Sequence, residues 1–217
     1  MKSLVSVALL LCFVGVSYQL TAQQIIKEVN IARTQPLVYA AKFKAQFTSL
    51  NKQGPTGDLN CYTEAESYLR SVTPLVALKE DITADLASWR HSYYLANVLK
   101  TLSHYGANNT SPYDRLMAAG TWTNPRSWTY NENIAWSSAA NSAEFFVMLW
   151  IGDCGITSRG HRKNIFSTTV TVVGCADVSN YLTCVGAVPL TLLASAQTSL
   201  AAAGLSQAIN GVNSTCL

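Results

Sequence analysis

Residues 172–188, VVGCADVSNYLTCVGAV, consist of two apolar runs on either side of Ser179-Asn180. Two such runs separated by a two-residue turn predict a β-hairpin. A two-residue loop at this point would place Cys175 and Cys184 directly opposite each other. Opposed strand residues have Cβ atoms about 4.5–5.5 Å apart, slightly wider than an ideal disulfide but close enough to form one. We therefore predict a Cys175–Cys184 disulfide within this hairpin.

The chain before the hairpin carries mainly helical patterns. Pro36 is well placed to begin an early helix. Residues 81–99 have the strongest pattern. The predicted buried face of that helix is Ile82, Leu86, Trp89, Tyr93 and Ala96. Residues 61–72 and 142–153 predict further helices, and residues 127–138 predict a strand and a turn. Helices first, followed by helix and strands together, imply an α+β arrangement of layers.

The composition indicates a folded domain. The chain has 217 residues, of which 49% are hydrophobic and 12% are charged. Disordered chains have low hydrophobicity and high charge, so this composition argues against disorder. The net charge is +3, and no basic stretch interleaved with aromatic residues indicates a nucleic-acid partner. One domain with short extensions is the expected organisation.

Residues 1–22 have the pattern of a secretory signal peptide. A lysine precedes the apolar run LVSVALLLCFVG, and small residues follow it. Cleavage is expected after Ser17 or after Ala22. The apolar run is shorter than the roughly 20 residues that a membrane span needs. We therefore expect a secreted mature chain without a transmembrane segment. It would have a domain over residues 23–188 and an Ala- and Ser-rich tail over residues 189–217, either a weak helix packed on the domain or a loose extension.

The cysteines and the glycosylation sequons agree with secretion. Cys12 would leave with the leader. Beside the hairpin pair, the mature chain then holds Cys61, Cys154 and Cys216. One of these three must stay unpaired or pair with another molecule, so we expect a monomer unless such a bridge forms. Cys154 and His161 could form a nucleophile pair, but a disulfide is the stronger interpretation of Cys154 in a secreted chain. Glycosylation is predicted at Asn108, Asn109 and Asn213.

Two of the three histidines lie in irregular sequence, where a site could form. These are His104 and His161; His91 lies inside the strongest helix and is interpreted as a partly buried or surface helix residue. The acidic residues considered with them are Glu132, Glu144 and Asp153. Two neutral imidazoles with one or two carboxylates could bind a divalent ion such as Zn²⁺ or shuttle protons. The sequence contains no HExxH pair, no GxSxG elbow and no Gly-rich phosphate loop.

Several segments, taken in order, resemble one known family. They are VNIAR, LSHYGANNTSPYDRLMAAG, NENIAW, an aromatic-rich helix ending at Trp150, SRGHRKNIF and VVGCA. Together they resemble the CAP superfamily, whose secretory (SCP) domain is shared by cysteine-rich secretory proteins, antigen 5 and plant pathogenesis-related proteins. The resemblance covers residues 24–188. The spellings SPYDR and GHRKNI are closer to the bacterial and protist branch than to the animal one.

The resemblance implies a three-layer α-β-α sandwich with a cleft that holds two histidines and two acids. Matched motif by motif, these residues are His104, Glu132, Asp153 and His161. Asp153 stands where animal members place a glutamate. Gly160 and Ser103 would let the backbone crowd the cleft, and Glu132 would orient one imidazole. Arg115 and Asp114 are expected to form a structural hydrogen-bonded pair.

Three functions follow as expectations. The first is a secreted, non-enzymatic CAP domain whose cleft binds Zn²⁺ or another divalent cation, together with a lipid, a sterol or another small hydrophobic ligand. The second is a metal-assisted, protease-like hydrolase in which Glu132 acts as the base. The third is a surface interaction module for an extracellular protein partner, with a vestigial cleft.

Overall fold

The predicted hairpin is formed by strands β4 (Val172–Val178) and β5 (Tyr181–Ala187). The two strands are antiparallel, and Cys175 lies opposite Cys184. Both turn residues have positive φ angles, 50° and 66°, which a two-residue hairpin loop requires. The two cysteines form a disulfide with their Cα atoms 4.1 Å apart.

The computed structural model describes residues 19–50, 60–138 and 142–204. Its helices are α1 (Ala22–Thr34), α2 (Pro36–Leu50), α3 (Cys61–Ser71), α4 (Ile82–Tyr94), α5 (Pro112–Ala119), α6 (Ala143–Gly152), α7 (Gly160–Ile165) and α8 (Gln197–Ala202). A π-helical turn, Leu95–Leu99, extends α4, and 3₁₀ turns cover Ala107–Asn109 and Ala194–Ala196. The remaining strands are β1 (Lys79–Glu80), β2 (Gly120–Trp122), β3 (Tyr130–Trp136) and β6 (Leu190–Leu192).

The hairpin is completed on both sides by other strands. β1 pairs in parallel with β4, and β3 pairs antiparallel with β5, which gives the order β1-β4-β5-β3. β2 and β6 form a separate antiparallel pair. The sequence does not predict β1 or β6. Strands of two or three residues are too short to show an alternation of apolar and polar residues.

Helices cover both faces of the four-stranded sheet. One core cluster joins α1, α2, α3 and α6 to the face that carries Val173 and Leu182. A second cluster joins α4 and α5 to the opposite face, through Val185. The α+β, three-layer α-β-α architecture is therefore confirmed.

The buried face of α4 differs from the predicted one. Tyr93 is 48% exposed, whereas Ser88 and Ser92 are completely buried. The Ser88 hydroxyl donates a hydrogen bond to the Gly174 carbonyl at 2.8 Å, and the Ser92 hydroxyl donates one to the Ala176 carbonyl at 2.9 Å. Short polar side chains face the sheet because they saturate strand carbonyls and allow a close approach.

Gly174 makes this close approach possible. A Cβ atom added to Gly174 would lie 2.0 Å from the Asp85 nitrogen, which no side chain could tolerate. Asp85 itself is buried, and its Oδ1 accepts a hydrogen bond from the Cys175 N–H at 2.7 Å. The centre of the sheet is thus bonded directly to α4.

A second disulfide joins Cys61 to Cys154. It links the start of α3 to the segment that follows α6. Cys154 is therefore oxidised and cannot act as the thiolate of a Cys–His pair. Cys12 and Cys216 lie outside the described residues, as does Asn213.

Part of the tail packs on the domain. Residues 190–192, expected to be a weak helix or a loose extension, form a strand that pairs with β2. Leu200 is buried in the core cluster beneath α4. Within the described ranges, no helix is both long and apolar enough to cross a lipid bilayer.

Candidate functional site

The loop that carries His104 is held by two neighbouring helices. Lys100, with φ 57°, ends the π-helical turn that follows α4. The His91 Nε2–H of α4 donates a hydrogen bond to the Ser103 carbonyl at 2.8 Å. The Arg115 guanidinium of α5 donates to the His104 carbonyl at 3.2 Å and to the Thr110 carbonyl at 2.8 Å. The backbone on both sides of His104 is therefore fixed.

Glu132 is the buried carboxylate beneath this loop. It lies in the middle of β3, and its side chain is 2% exposed. Oε1 accepts a hydrogen bond from His104 Nδ1 at 2.8 Å, and Oε2 accepts one from the Arg115 guanidinium. Both carboxylate oxygens are thus engaged, and the Arg115 cation balances the buried charge.

Asp153 and His161 form the second pair. Asp153 ends α6 in the left-handed conformation, with φ 51°, and its side chain is 1% exposed. Oδ1 accepts a hydrogen bond from His161 Nδ1 at 2.7 Å, while Oδ2 accepts one from the His161 backbone N–H at 2.9 Å. His161 lies in the first turn of α7, not in irregular sequence as predicted. The aspartate side chain is thus long enough to reach the histidine at this position.

The two pairs meet at one cleft. The His104 and His161 rings are stacked, with centroids 6.5 Å apart and an interplanar angle of 28°. Each Nδ1 is occupied by a carboxylate, and within the described residues neither Nε2 has a hydrogen-bond partner. The His104 side chain is 49% exposed and that of His161 is 17% exposed. The structure therefore brings His104, Glu132, Asp153 and His161 together.

Two asparagines join the two sides of the cleft. Asn164 of α7 donates to the Glu132 carbonyl at 3.0 Å and to Asn133 Oδ1 at 2.8 Å. Asn133 of β3 in turn donates to the His161 carbonyl at 3.1 Å. These bonds fix α7, and with it His161, against the strand that carries Glu132.

His91 contributes more than its sequence interpretation suggested. Its side chain is completely buried, and Nε2 lies 4.0 Å from Glu132 Oε1. Burial lowers the pKa of His91, and the Glu132 carboxylate opposes this shift only in part. Nδ1 has no hydrogen-bond partner among the described residues. His91 is thus a neutral support of the loop, a role that its position inside a helix did not reveal.

The expected pair of Arg115 and Asp114 is replaced by two other interactions. Asp114 is the N3 residue of α5 and forms a capping box with Ser111. Arg115 instead binds Glu132. The pattern Ser-x-x-Asp before a helix is itself a capping signal, so the sequence could have assigned Asp114 to the cap and left Arg115 free for another partner.

Gly160 does not have the expected role. A Cβ atom added there would meet only Ser158 Oγ at 3.6 Å, which is an ordinary contact.

The donor chemistry fits a cation held by two histidines. A histidine that binds a metal through one ring nitrogen commonly donates its other N–H to a carboxylate, as both Nδ1 atoms do here. The part of the chain that the structure describes has no group of three or more His, Cys, Asp or Glu side chains arranged to hold a metal ion. A cation would therefore have two protein donors, His104 and His161, and would take its other ligands from solvent or from a bound molecule.

The comparisons with known proteins agree with this fold. The model of the CAP (cysteine-rich secretory protein) family matches residues 64–186, more than half of the chain. The chain therefore belongs to the cysteine-rich secretory protein family.

One solved structure is similar to this chain, an extracellular protein containing an SCP domain from Bacillus anthracis str. Ames. It shares 22% sequence identity over 58% of this chain, with a TM-score of 0.41, and the match spans 37% of that protein's chain. No curated protein matches significantly.

Proposed function

We propose that this protein is secreted and that its cleft binds a divalent cation through His104 and His161 without catalysing a reaction. The observation that carries the proposal is the pair of hydrogen bonds from the two Nδ1 atoms to buried carboxylates. These bonds place the ring proton on Nδ1 of both histidines. The lone pair of each Nε2 atom is then left to bind a cation. The predicted leader and the two disulfides support an oxidising, extracellular location.

Glu132 is better suited to holding His104 than to accepting a proton from water. Its two oxygens already accept hydrogen bonds from His104 and Arg115. A water molecule would therefore have to displace one of these two partners before it could donate a proton to Glu132. This arrangement favours the binding role over the metal-assisted hydrolase.

A hydrophobic ligand is the second proposed function, and an aromatic cluster supports it, which includes Tyr130 of β3, the strand that also carries Glu132. The Tyr113 ring contacts the rings of Trp122, Trp128 and Tyr130 at centroid distances of 6.4, 6.2 and 5.9 Å. Trp128 is 61% exposed. Exposed aromatic rings of this kind offer apolar contact area to a lipid or sterol.

The experiment for the cation is a Zn²⁺ titration by calorimetry at neutral pH, on the mature protein without an affinity tag. The wild type should bind Zn²⁺ in a saturable manner, and the His104→Ala/His161→Ala variant should not. Asp153→Asn and Glu132→Gln should weaken binding by about 10–100-fold, because each removes a charge that orients one histidine.

Glu66→Gln is the matched control for the titration. It removes a carboxylate from α3, where Glu66 pairs with Arg70, and should leave the affinity unchanged. A flat titration of the wild type would reject the cation site. A titration with cholesterol or a fatty acid would then decide between ligand binding and an interaction module with a vestigial cleft.

A further inference from the structure

A second cavity lies between the end of α1 and the edge of the four-stranded sheet. It has a volume of about 480 Å³, and its walls are the end of α1, the segment before β1 and the chain around the start of β4. This size is within the range of about 300–1,000 Å³ that is typical of small-molecule sites. The cavity shares no residue with the histidine cleft or with the aromatic cluster around Tyr113.

Two side chains of the VNIAR motif hold one wall of this cavity in place. Asn30 donates to the Leu78 carbonyl at 2.9 Å and accepts from the Leu78 N–H at 2.8 Å. The Leu75 N–H donates to the Arg33 carbonyl at 2.8 Å, and the Arg33 Nε–H donates to the Val76 carbonyl at 3.2 Å. The segment before β1 is therefore fixed on α1, and the cavity beneath it is preformed.

Arg33 is a buried cation without a counter-ion. Its residue is 3% exposed, and its partners are the carbonyls of Val76, Ile165 and Ser167. Burial lowers the pKa of Arg33, and no neighbouring carboxylate opposes this shift. A buried charge is costly unless it is paired, so an anion beside this guanidinium would be stabilised.

One nitrogen of this guanidinium is left for such an anion. Nε and Nη1 make all the hydrogen bonds that Arg33 forms with side chains and backbone of the described residues. Nη2 has no partner among them, yet it keeps accessible surface, in contrast to the unpaired Nε of Arg115. Since the Arg33 side chain borders the cavity, this donor is available to a ligand there.

The charges around the cavity are of one sign. Lys79 is exposed and lines the cavity together with Arg33. No Asp or Glu is among the described residues that line it. The cavity therefore attracts anions and repels cations.

The rest of the lining selects the kind of anion. It is mainly apolar and includes the buried side chains of Leu78, Val170 and Val172. Apolar walls give nothing to the hydration shell of an inorganic phosphate or sulfate but pack well against a hydrocarbon body. A guanidinium forms strong, charge-assisted hydrogen bonds with a carboxylate.

We propose that this cavity binds a small organic carboxylate. The carboxylate accepts a hydrogen bond from Arg33 Nη2, and the apolar body lies against Leu78 and Val170. Lys79 contributes a second positive charge at the mouth of the cavity. The site is separate from the proposed cation-binding cleft, so the two proposals stand or fall independently.

The test uses two probes of the same shape, 4-phenylbutanoate and the uncharged 4-phenylbutanamide. Binding to the mature protein is measured by calorimetry at neutral pH in the presence of EDTA, which keeps metal ions out of the histidine cleft. The carboxylate should bind at least about tenfold more tightly than the amide, because its hydrogen bond to the guanidinium joins two charges. The Nε–H signal of Arg33 in NMR spectra, assigned with Arg33→Lys, should shift as the carboxylate is added.

Arg33→Lys tests the guanidinium directly. It keeps the positive charge but removes the planar fork, and should weaken carboxylate binding about tenfold or more. Lys79→Gln removes the charge at the mouth and should weaken binding to a smaller extent. Lys27→Gln, which removes an exposed lysine of α1 that does not line the cavity, is the matched control and should have no effect.

A pair of variants at Val76 tests the sign of the charge without disturbing the core. Val76 lines the cavity and is 84% exposed, so the fold tolerates a polar side chain there. Val76→Glu and Val76→Gln have side chains of the same size and differ in one negative charge. The glutamate variant should bind 4-phenylbutanoate about three- to tenfold more weakly than the glutamine variant, whereas the two should bind the amide equally.

Three results would overturn the proposal. They are equal affinity for the carboxylate and the amide, no saturable binding at millimolar concentrations, and carboxylate binding that is the same in Lys79→Gln, Val76→Glu and Val76→Gln as in the wild type. Because Val76 and Lys79 are exposed, a folding defect in Arg33→Lys would not leave the question open.

Discussion

Arg115 joins three parts of the histidine cleft. Its guanidinium donates to Glu132, to the carbonyl of His104 and to the carbonyl of Thr110. Arginine suits this position because it presents several donors in a fixed plane, whereas lysine offers a single ammonium. One side chain thus holds both the acid and the backbone that place the His104 ring.

Asp85 should give the protein a pH dependence whose sign follows from the burial of its carboxyl group. Burial raises its pKa well above the ordinary value of 3.8, with Glu80 and Asp81 adding to the effect and the Cys175 N–H opposing it. The unfolded chain therefore loses this proton at a lower pH than the folded protein does. As pH rises above about 4, ionisation favours the unfolded state, so this group lowers stability until the pH passes the folded pKa.

Replacing Asp85 with asparagine should remove this loss of folding stability at higher pH. Asparagine keeps an acceptor for the Cys175 N–H but cannot ionise. We expect Asp85→Asn to melt at the same temperature as the wild type near pH 4 and a few degrees higher near pH 8. Thermal unfolding followed by circular dichroism across this range is the measurement.

Asp114→Asn is the control for the Asp85 prediction, with the opposite sign. The backbone and hydroxyl of Ser111 lower the pKa of Asp114, so its ionised form contributes stability that is lost as pH falls through the folded pKa. This variant should be less stable than the wild type at neutral pH. A melting difference for Asp85→Asn that does not change with pH would contradict the assignment.

At the scale of elements, the start of α1 discriminates between the two predicted leader cleavage positions. Thr21 caps α1 and forms a capping box with Gln24. Leu20 is buried, and its N–H donates to Asp177, which also accepts through its carbonyl from the Gln19 side chain. Cleavage after Ala22 would remove all of these contacts.

We therefore predict cleavage after Ser17, so that the mature protein would begin at Tyr18. Loss of an N-cap alone costs about 0.5–2 kcal/mol, and the buried Leu20 adds to this. Intact-mass measurement and N-terminal sequencing of the secreted protein will identify the first residue. A mature chain beginning at Gln23 would contradict the prediction.

Elements defined by nearby residues could be predicted from the sequence. The β4–β5 hairpin, its disulfide and the helix start at Pro36 depend on turn and helix-start signals within a few positions. The orientation of α4 could not be predicted, because Ser88 and Ser92 are buried against strand carbonyls far away in the chain. Hydrophobic spacing alone places such serines on the exposed side.

Family resemblance, and not the spacing of residues, predicts the candidate site. His104, Glu132, Asp153 and His161 come from a loop, a strand, a helix end and a short helix, so no periodicity connects them. The supporting roles of His91 and Arg115 depend on contacts across elements, which a single sequence does not encode in any local pattern.

For the whole molecule, the two disulfides constrain the chain to different extents. The Cys61–Cys154 bridge spans 93 residues and the Cys175–Cys184 bridge spans 9 residues. The entropy of loop closure corresponds to about 4.6 kcal/mol for the longer separation and about 2.6 kcal/mol for the shorter one. The shorter bridge also joins strands that are already paired by hydrogen bonds.

We expect Cys61→Ala/Cys154→Ala to be the more destabilising pair of substitutions, by about 2 kcal/mol over Cys175→Ala/Cys184→Ala. Both pairs replace buried or partly buried cysteines with alanine, so the difference reflects mainly the length of the closed loop. Guanidinium unfolding of the two variants and the wild type measures it. A larger loss of unfolding free energy in Cys175→Ala/Cys184→Ala would show that local packing outweighs loop length.

The Cys175 amide, which donates a hydrogen bond to the buried Asp85 carboxyl group, should be among the slowest amides of the protein to exchange its hydrogen with solvent. The N–H lies on a central strand beneath α4, away from solvent. Its exchange with deuterium then requires α4 and the sheet to separate, which is close to complete unfolding. A single resonance would therefore report the global stability of the protein under native conditions, without denaturant.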